Sequence, residues 1–326
     1  MLSSEEHPAQ ALVDNARRAE RAGFTAALIS DHFHPWTDNQ GNSPFVWSVL
    51  GAISQVTEAL RVGTGVTCPT IRTHPAIIAH AAATVATQMP GRFFLGVGAG
   101  ENLNEHVLGD AWPPPAVRLE MMEEAIEVIR LLWKGDTQSH RGRYYTVDSA
   151  RVYNLPPESP PIMVAAKGAG ATKMAATLGD GLIATEPDED QVRSFRDAGG
   201  GGKSVYGKLT VCWAKTEAEA RETAHRQWPN AGMGSYIQDL RLPGDFEEVA
   251  SLVNEDDVTA EVLCSPDPAW HIAALREYFD AGFDTVFVHQ VGPDQEGFMR
   301  MYEREVLPTF ASIELVAGGV RNADGD

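Results

Sequence analysis

The chain has 326 residues, 43% hydrophobic and 22% charged, a globular balance that excludes wholesale disorder. Its 45 acidic against 26 basic residues leave a formal charge of −19, which excludes a general nucleic-acid binder because phosphate contacts need clustered Lys and Arg. No apolar run approaches the roughly 18 residues of a membrane span, and the polar opening segment, with Glu5 and Glu6, does not read as a signal peptide.

Residues 8–22 predict a helix with Leu12, Ala16 and Ala19 on one face and Gly23 at the left-handed C-cap position. A buried strand follows over 25–30. Ser43-Pro44 reads as an N-cap with proline at the first helical position, and the helix carries Val46, Leu50 and Ile53. The next strand covers 60–66, the next helix 75–88 and a third strand 92–97. A long helix over 117–134 places Met122, Ile126, Ile129 and Trp133 at intervals of 4, 3 and 4. Strands are predicted at 161–165, 181–185, 205–214 and 285–289. Helices are predicted at 170–178, after the Thr216/Glu219 capping box, and at 295–307. Residues 199–202 read as a flexible turn, 228–261 as an insertion and 319–326 as a frayed tail.

Strands alternating with helices predict an α/β fold with a parallel sheet. The seven strand–helix units are one short of a (β/α)8 TIM barrel, since only seven residues precede the helix at Pro8. Two readings follow: an open doubly wound sheet, or a barrel lacking its first strand. The 326 residues are then one domain.

In such folds chemistry collects at the C-terminal ends of strands. The first end reads Ser30-Asp31-His32-Phe33-His34-Pro35-Trp36, placing two imidazoles beside a carboxylate and a Trp. Histidine exchanges protons near neutral pH, and a neighbouring carboxylate sets its tautomer. His-x-His also suits a metal hydrolase, but later strand ends offer only His289, so no metal is expected. A second end, Gly96-Val97-Gly98-Ala99-Gly100-Glu101, has alternating glycines that would let a flat ligand approach the backbone. It is not the dinucleotide fingerprint, because the third glycine comes one residue early. Glu101 follows as a carboxylate that burial could turn into a proton donor. A third end holds Gly65, Val66 and Cys68, the last read as a small apolar filler. At the fourth, Lys167-Gly168-Ala169-Gly170-Ala171 leads into a helix whose free amides, with Lys167, could hold a phosphate. The three cysteines, Cys68, Cys212 and Cys264, are odd in number and scattered, which fits a reducing cytoplasm.

The strings DHFHPW, GAGENLNE, RLEMMEEAIEVIRLLW and IMVAAKGAGATKMAATLGDGLI resemble the luciferase-like barrel superfamily, and within it the coenzyme F420-dependent glucose-6-phosphate dehydrogenase branch. The resemblance runs from about residue 2 to 310. It implies the deazaflavin F420 as cofactor and hydride transfer to or from an alcohol or ketone. His32 then takes the hydroxyl proton, Trp36 lines the reacting face, and Glu101 protonates the deazaflavin once it has received the hydride. The resemblance places Asp31, Cys68, Ala99, Gly100 and Asn104 on the cofactor, Gly65–Val66 on a non-proline cis peptide, and Lys167, Gly168, Gly170 and Ala171 around the cofactor's phosphodiester. Thr185 and Asp188 fall on the substrate loop. A homodimer is implied as well.

Two departures stand out. Cations that hold a sugar phosphate in the family fall on Asp188, near Ala260 and near Asp284, so glucose 6-phosphate is expected to be a poor substrate. Met1 also stands where the family has its first strand, which suggests a misplaced start. An FMN-dependent luciferase-like monooxygenase and a non-catalytic F420-binding protein are the alternatives. The acid–base pair of His32 and Glu101 favours the deazaflavin dehydrogenase. With so acidic a chain, the polyanionic cofactor must be held by local features: Lys167, backbone amides and Arg72.

Overall fold

The computed structural model describes residues 1–310, so the tail expected at 319–326 lies outside the described residues. In chain order the first elements are α1 (Ala9–Arg21), β1 (Ala26–Ile29), α2 (Val46–Ser54), β2 (Arg61–Thr64), α3 (Pro75–Gln88) and β3 (Phe93–Val97). They are followed by α4 (Asn102–Glu105), α5 (Pro115–Leu132) and the hairpin β4 (Gln138–Arg141) and β5 (Thr146–Ala150). Then come β6 (Ile162–Ala165), α6 (Ala169–Thr177), β7 (Gly181–Ala184), α7 (Glu189–Phe195), β8 (Ser204–Cys212) and α8 (Glu217–Gln227). The last are α9 (Pro243–Ala250), α10 (Glu255–Thr259), β9 (Leu263–Cys264), α11 (Pro268–Asp280), β10 (Thr285–Gln290) and α12 (Gln295–Met301).

The main sheet is parallel, in the order β1-β2-β3-β6-β7-β8-β10, with β9 paired to β8. Its inner face packs Leu28, Phe94, Met163, Ile183, Tyr206 and Phe287, one from each of six strands. Strand β2 contributes Gly63 instead, because a β-carbon there would lie 2.1 Å from the Phe94 ring. Outside the sheet, Leu12 and Ala16 of α1, Leu50 and Ile53 of α2, Ile78 and Ala82 of α3 and Met122 and Ile126 of α5 form the larger core. Two packed layers around a curled parallel sheet are the barrel architecture that the alternation predicts.

Two residues at the chain start lie between β1 and β10. The Leu2 amide donates to Leu28 O at 2.6 Å, and Ser30 N donates to Leu2 O at 3.3 Å. The Met1 ammonium donates to Val288 O of β10. The chain start thus touches both ends of the sheet without forming a full strand between them.

The seven predicted strands of the main path are all present, and Gly23 has the expected positive φ, +92°. One feature went unread, and two take a form that the sequence did not show. The β4–β5 hairpin is held by Glu124 of α5, whose carboxylate accepts from the amides of Arg143, Tyr144 and Tyr145. The turn expected at 199–202 begins as a π-helical extension of α7 over 196–200 and breaks at Gly199, φ +111°. The insertion at 228–261 carries α9 and α10 and builds a second core, in which Trp228, Met233, Phe246 and Val258 pack with Trp36, Leu103 and Cys212. That core joins the insertion to the C-terminal ends of the strands. Among the described residues no helix is long and apolar enough to cross a membrane.

Candidate active site

A cavity of about 130 Å³ opens at the C-terminal ends of the strands, lined in part by Glu5, Ser30, Asp31, His32, Trp36 and Glu101. Gly65, Val66, Cys68, Gly100 and Asn104 line it as well, so the first three strand ends singled out in the sequence converge here.

His32 follows β1, and its ring is fixed from both sides. Nδ1 lies 3.1 Å from His34 O. A carbonyl only accepts, so Nδ1 carries the hydrogen and Nε2 is the atom that takes up a proton. Nε2 lies 3.3 Å from Glu5 Oε1 and 3.9 Å from Glu101 Oε2. Trp36 stands edge-on to the imidazole, centroids 5.0 Å apart, and is itself held edge-on by Phe246 of α9 at 5.3 Å.

Asn104 ties the loops together. Its Oδ1 accepts from the amides of Phe33 (2.8 Å) and His34 (3.2 Å), and its Nδ2 donates to Glu101 Oε2 at 3.3 Å. Asp31 accepts from Thr67 Oγ1 at 2.8 Å and pairs with Arg72 Nη2 at 2.9 Å. Glu105 accepts from the Arg72 amide at 2.7 Å. Arg72 is therefore committed to an internal ion network, which corrects the expectation that it reaches toward a cofactor.

Glu5 was missed by sequence reasoning. Its carboxylate accepts from Ser30 Oγ (2.5 Å), Ser3 Oγ (3.0 Å) and Ser4 Oγ (3.4 Å). Burial opposes its ionisation, but His32 and the Ser30 hydroxyl outweigh burial and hold it below the usual carboxylate range. The signal available was a doubled carboxylate ahead of the first helix, with no visible strand to anchor it. Lys208 and Trp228 also line the cavity and were missed. Lys208 is the one charged residue of strand β8, which is a legible anomaly.

The glycines have a different explanation from the expected one. A β-carbon on Gly96 would lie 1.9 Å from Thr64 O, and one on Gly98 would lie 2.5 Å from Val66 Cγ2. Gly100 has φ +75°, with Cys68 Sγ 2.6 Å from a β-carbon position. Gly96 and Gly98 thus admit neighbouring chain, not a ligand. The Gly65–Val66 peptide is cis. Cys68 is buried with Sγ 3.0 Å from Thr70 Oγ1. Burial first, then Glu105, pushes its thiol well above the ordinary value, as suits a filler rather than a nucleophile.

Ala99, Lys167, Gly168, Gly170 and Ala171 are not among the cavity-lining residues. The exposed Lys167 pairs with the exposed Glu186 at 3.3 Å, a solvent-screened contact of little strength. Helix α6 begins at Ala169 with Gly168 at its N-cap position and no side-chain cap, and a β-carbon on Gly168 would meet nothing within 4 Å. Thr185 and Asp188 are not brought to the cavity either. Thr185 O accepts from Tyr278 Oη at 2.6 Å, and Asp188 caps α7 through the amides of Asp190 and Gln191. Asp284 precedes β10 at its N-terminal end, where it accepts from Val205 N at 2.7 Å. It sits at the wrong end of the strand to repel a substrate, which corrects that part of the charge argument.

The donor set fits a flat ring with an anionic tail: a cavity beside the Gly65–Val66 and Gly100 backbone, and the uncapped amides of α6. Among the described residues no cluster of three metal-ligating side chains occurs.

Known proteins resemble the chain over most of its length. Residues 1–285 match the luciferase-like monooxygenase family. The F420-dependent glucose-6-phosphate dehydrogenase of Microbacterium testaceum is 34% identical over 94% of this chain and 95% of its own length. The F420-dependent hydroxymycolic acid dehydrogenase of Mycobacterium tuberculosis is 35% identical over 94% of this chain and 86% of its own. Among solved structures, an F420-dependent secondary alcohol dehydrogenase in complex with an F420-acetone adduct superposes with a TM-score of 0.87. It is 28% identical, covering 94% of this chain and 96% of that one. With this match over most of its length, the chain belongs to the luciferase-like monooxygenase family, in the branch shared with the F420-dependent glucose-6-phosphate dehydrogenases.

Proposed function

We propose that the protein is an F420-dependent oxidoreductase acting on an alcohol or the matching ketone. The observation that carries this reading is one imidazole nitrogen, His32 Nε2, facing the carboxylates of Glu5 and Glu101 in a cavity at the barrel mouth. F420 when bound supplies the hydride acceptor or donor. The rest falls to this chain. His32 Nε2 takes the proton of the substrate hydroxyl as hydride leaves carbon, or returns it in the reverse direction. Glu5, whose pKa His32 and the Ser30 hydroxyl hold down against burial, stabilises the imidazolium that results. Glu101 Oε2, oriented by Asn104, holds or releases the second proton that the redox step requires. Trp36 closes the reacting face, and the Gly65–Val66 and Gly100 backbone supports the ring. Asp31, Cys68, Ala99 and Asn104 belong to the same cofactor-binding surface, and Lys167, Gly168, Gly170 and Ala171 provide its phosphate end. A homodimer is the assembly this reading takes over, measurable by light scattering.

Titration of F420 and of FMN, followed by Trp36 and Trp228 fluorescence, tests the cofactor. Reduction of F420 by a panel of small alcohols tests the activity. Binding of FMN but not F420 overturns the reading. Full retention of function by a His32→Ala variant would leave only a carrier.

A further inference from the structure

Resting on that reading, we propose that Lys208 forms a carboxylate subsite in the active-site cavity, so that the substrates are small hydroxy acids and keto acids. Strand β8 sets the orientation. Tyr206 packs in the barrel interior, whereas Gly207 faces outward, since a β-carbon there would lie 2.5 Å from the Tyr278 ring. Side chains alternate along a strand, so Lys208 points inward with Tyr206, one layer nearer the mouth. It lines the cavity with Glu5, His32, Glu101 and Trp228.

The other charges of the cavity are engaged. Asp31 and Glu105 hold Arg72, Glu5 holds His32 and three serine hydroxyls, and Glu101 accepts from Asn104. Among the described residues the Lys208 ammonium makes no hydrogen bond or ion pair. Burial pulls its pKa down, and Glu5, Glu101 and Glu6, which act on it from a distance, do not fully offset that. A desolvated ammonium with three unfilled donors gains most from an anionic acceptor, which a ligand can bring. A carboxylate on a small substrate would share this cavity of about 130 Å³ with Lys208 and His32. With F420 bound as hydride acceptor, His32 would take the proton of the substrate hydroxyl, while the carboxylate would stay unchanged against Lys208.

The test compares isobutyrate with the neutral, near-isosteric isobutyramide, using Trp fluorescence of the full chain with and without F420. The wild type binds isobutyrate about tenfold or more tightly than the amide. Lys208→Met and Lys208→Gln, checked for folding by circular dichroism, lose that preference and keep the amide affinity, while Lys208→Arg retains it. With F420 present, 3-hydroxybutyrate is oxidised in preference to its methyl ester, and the preference vanishes in Lys208→Met. Equal binding of acid and amide by the wild type, or a preference that survives Lys208→Met, overturns the proposal. Failure to bind F420 alongside a Lys208-dependent acid preference would sink the cofactor reading and leave this subsite standing.

Discussion

His32 Nε2 lies 3.3 Å from Glu5 Oε1, a carboxylate that precedes the first helix and lies 27 positions away in sequence. This pairing makes the imidazole a base whose protonated form has a ready counter-charge. Replacing His32 by Ala removes the proton acceptor and should lower kcat by about 10²- to 10⁴-fold. Affinity for F420, read by Trp quenching, should stay within a few-fold of the wild type.

Glu5→Gln keeps the shape of the side chain and removes its charge. A hydrogen bond to a charged group contributes about 1.5–3 kcal/mol, so kcat should fall by roughly 10- to 100-fold. Steady-state kinetics with the best alcohol check this. An unchanged kcat would show that Glu5 only packs.

A pH dependence of stability follows from Glu6, whose Oε2 lies 2.9 Å from His289 Nε2 and whose Oε1 accepts from Gly292 N. Burial, only partly countered by the Gly292 amide, raises its pKa from 4.5 to about 7. The folded state therefore holds more protons than the unfolded state between those values. Stability from this group falls as pH rises through that window. Glu6→Gln mimics the protonated acid, keeping a donor for His289 and an acceptor for Gly292. Thermal melts should show the wild type losing Tm from about pH 5 to pH 7 relative to the variant. Parallel curves for the two proteins would contradict the assignment.

The fold was legible where periodicity is strong. The long helix with Met122, Ile126 and Ile129 and the apolar strands each announce their own burial. The His32–Trp36 and Glu101–Asn104 segments were legible because reactive side chains follow directly on strands. What escaped was non-local. Glu5 becomes a partner of His32 only because Leu2 bridges β1, and two residues carry no strand pattern. The β4–β5 hairpin depends on a single carboxylate from a distant helix. Asp188 and Asp284 looked alike as substituted cations, yet one caps a helix and the other sits at the opposite end of the barrel.

Glucose 6-phosphate should be turned over at least about tenfold less efficiently, in kcat/KM, than the best small alcohol. The cavity of about 130 Å³ is lined by the carboxylates of Glu5, Asp31, Glu101 and Glu105. A dianionic phosphate near any one of them would meet repulsion of about 1–4 kcal/mol per unit charge, depending on dielectric. A side-by-side assay of F420 reduction checks this. Comparable efficiencies would mean that a cation offsets this repulsion.

The insertion controls the site through Phe246. This ring is fully buried, meets Trp36 edge-on and belongs to the core that α9 and α10 share with the strand ends. Truncating a buried Phe to Ala costs about 3–5 kcal/mol, through lost contacts and the cavity left behind. Once that support is gone, Trp36 keeps its edge contact with His32 but loses its aromatic neighbour in the insertion core. Phe246→Ala should therefore lower Tm and raise KM more than it lowers kcat, because the proton-transfer atoms of His32 and Glu5 are untouched. Phe246→Leu refills part of the volume and should recover most of the stability but less of the KM, since an aliphatic side chain cannot offer the aromatic edge contact. Equal loss of kcat and KM performance in both variants would instead place Phe246 in general packing, with no specific hold on Trp36.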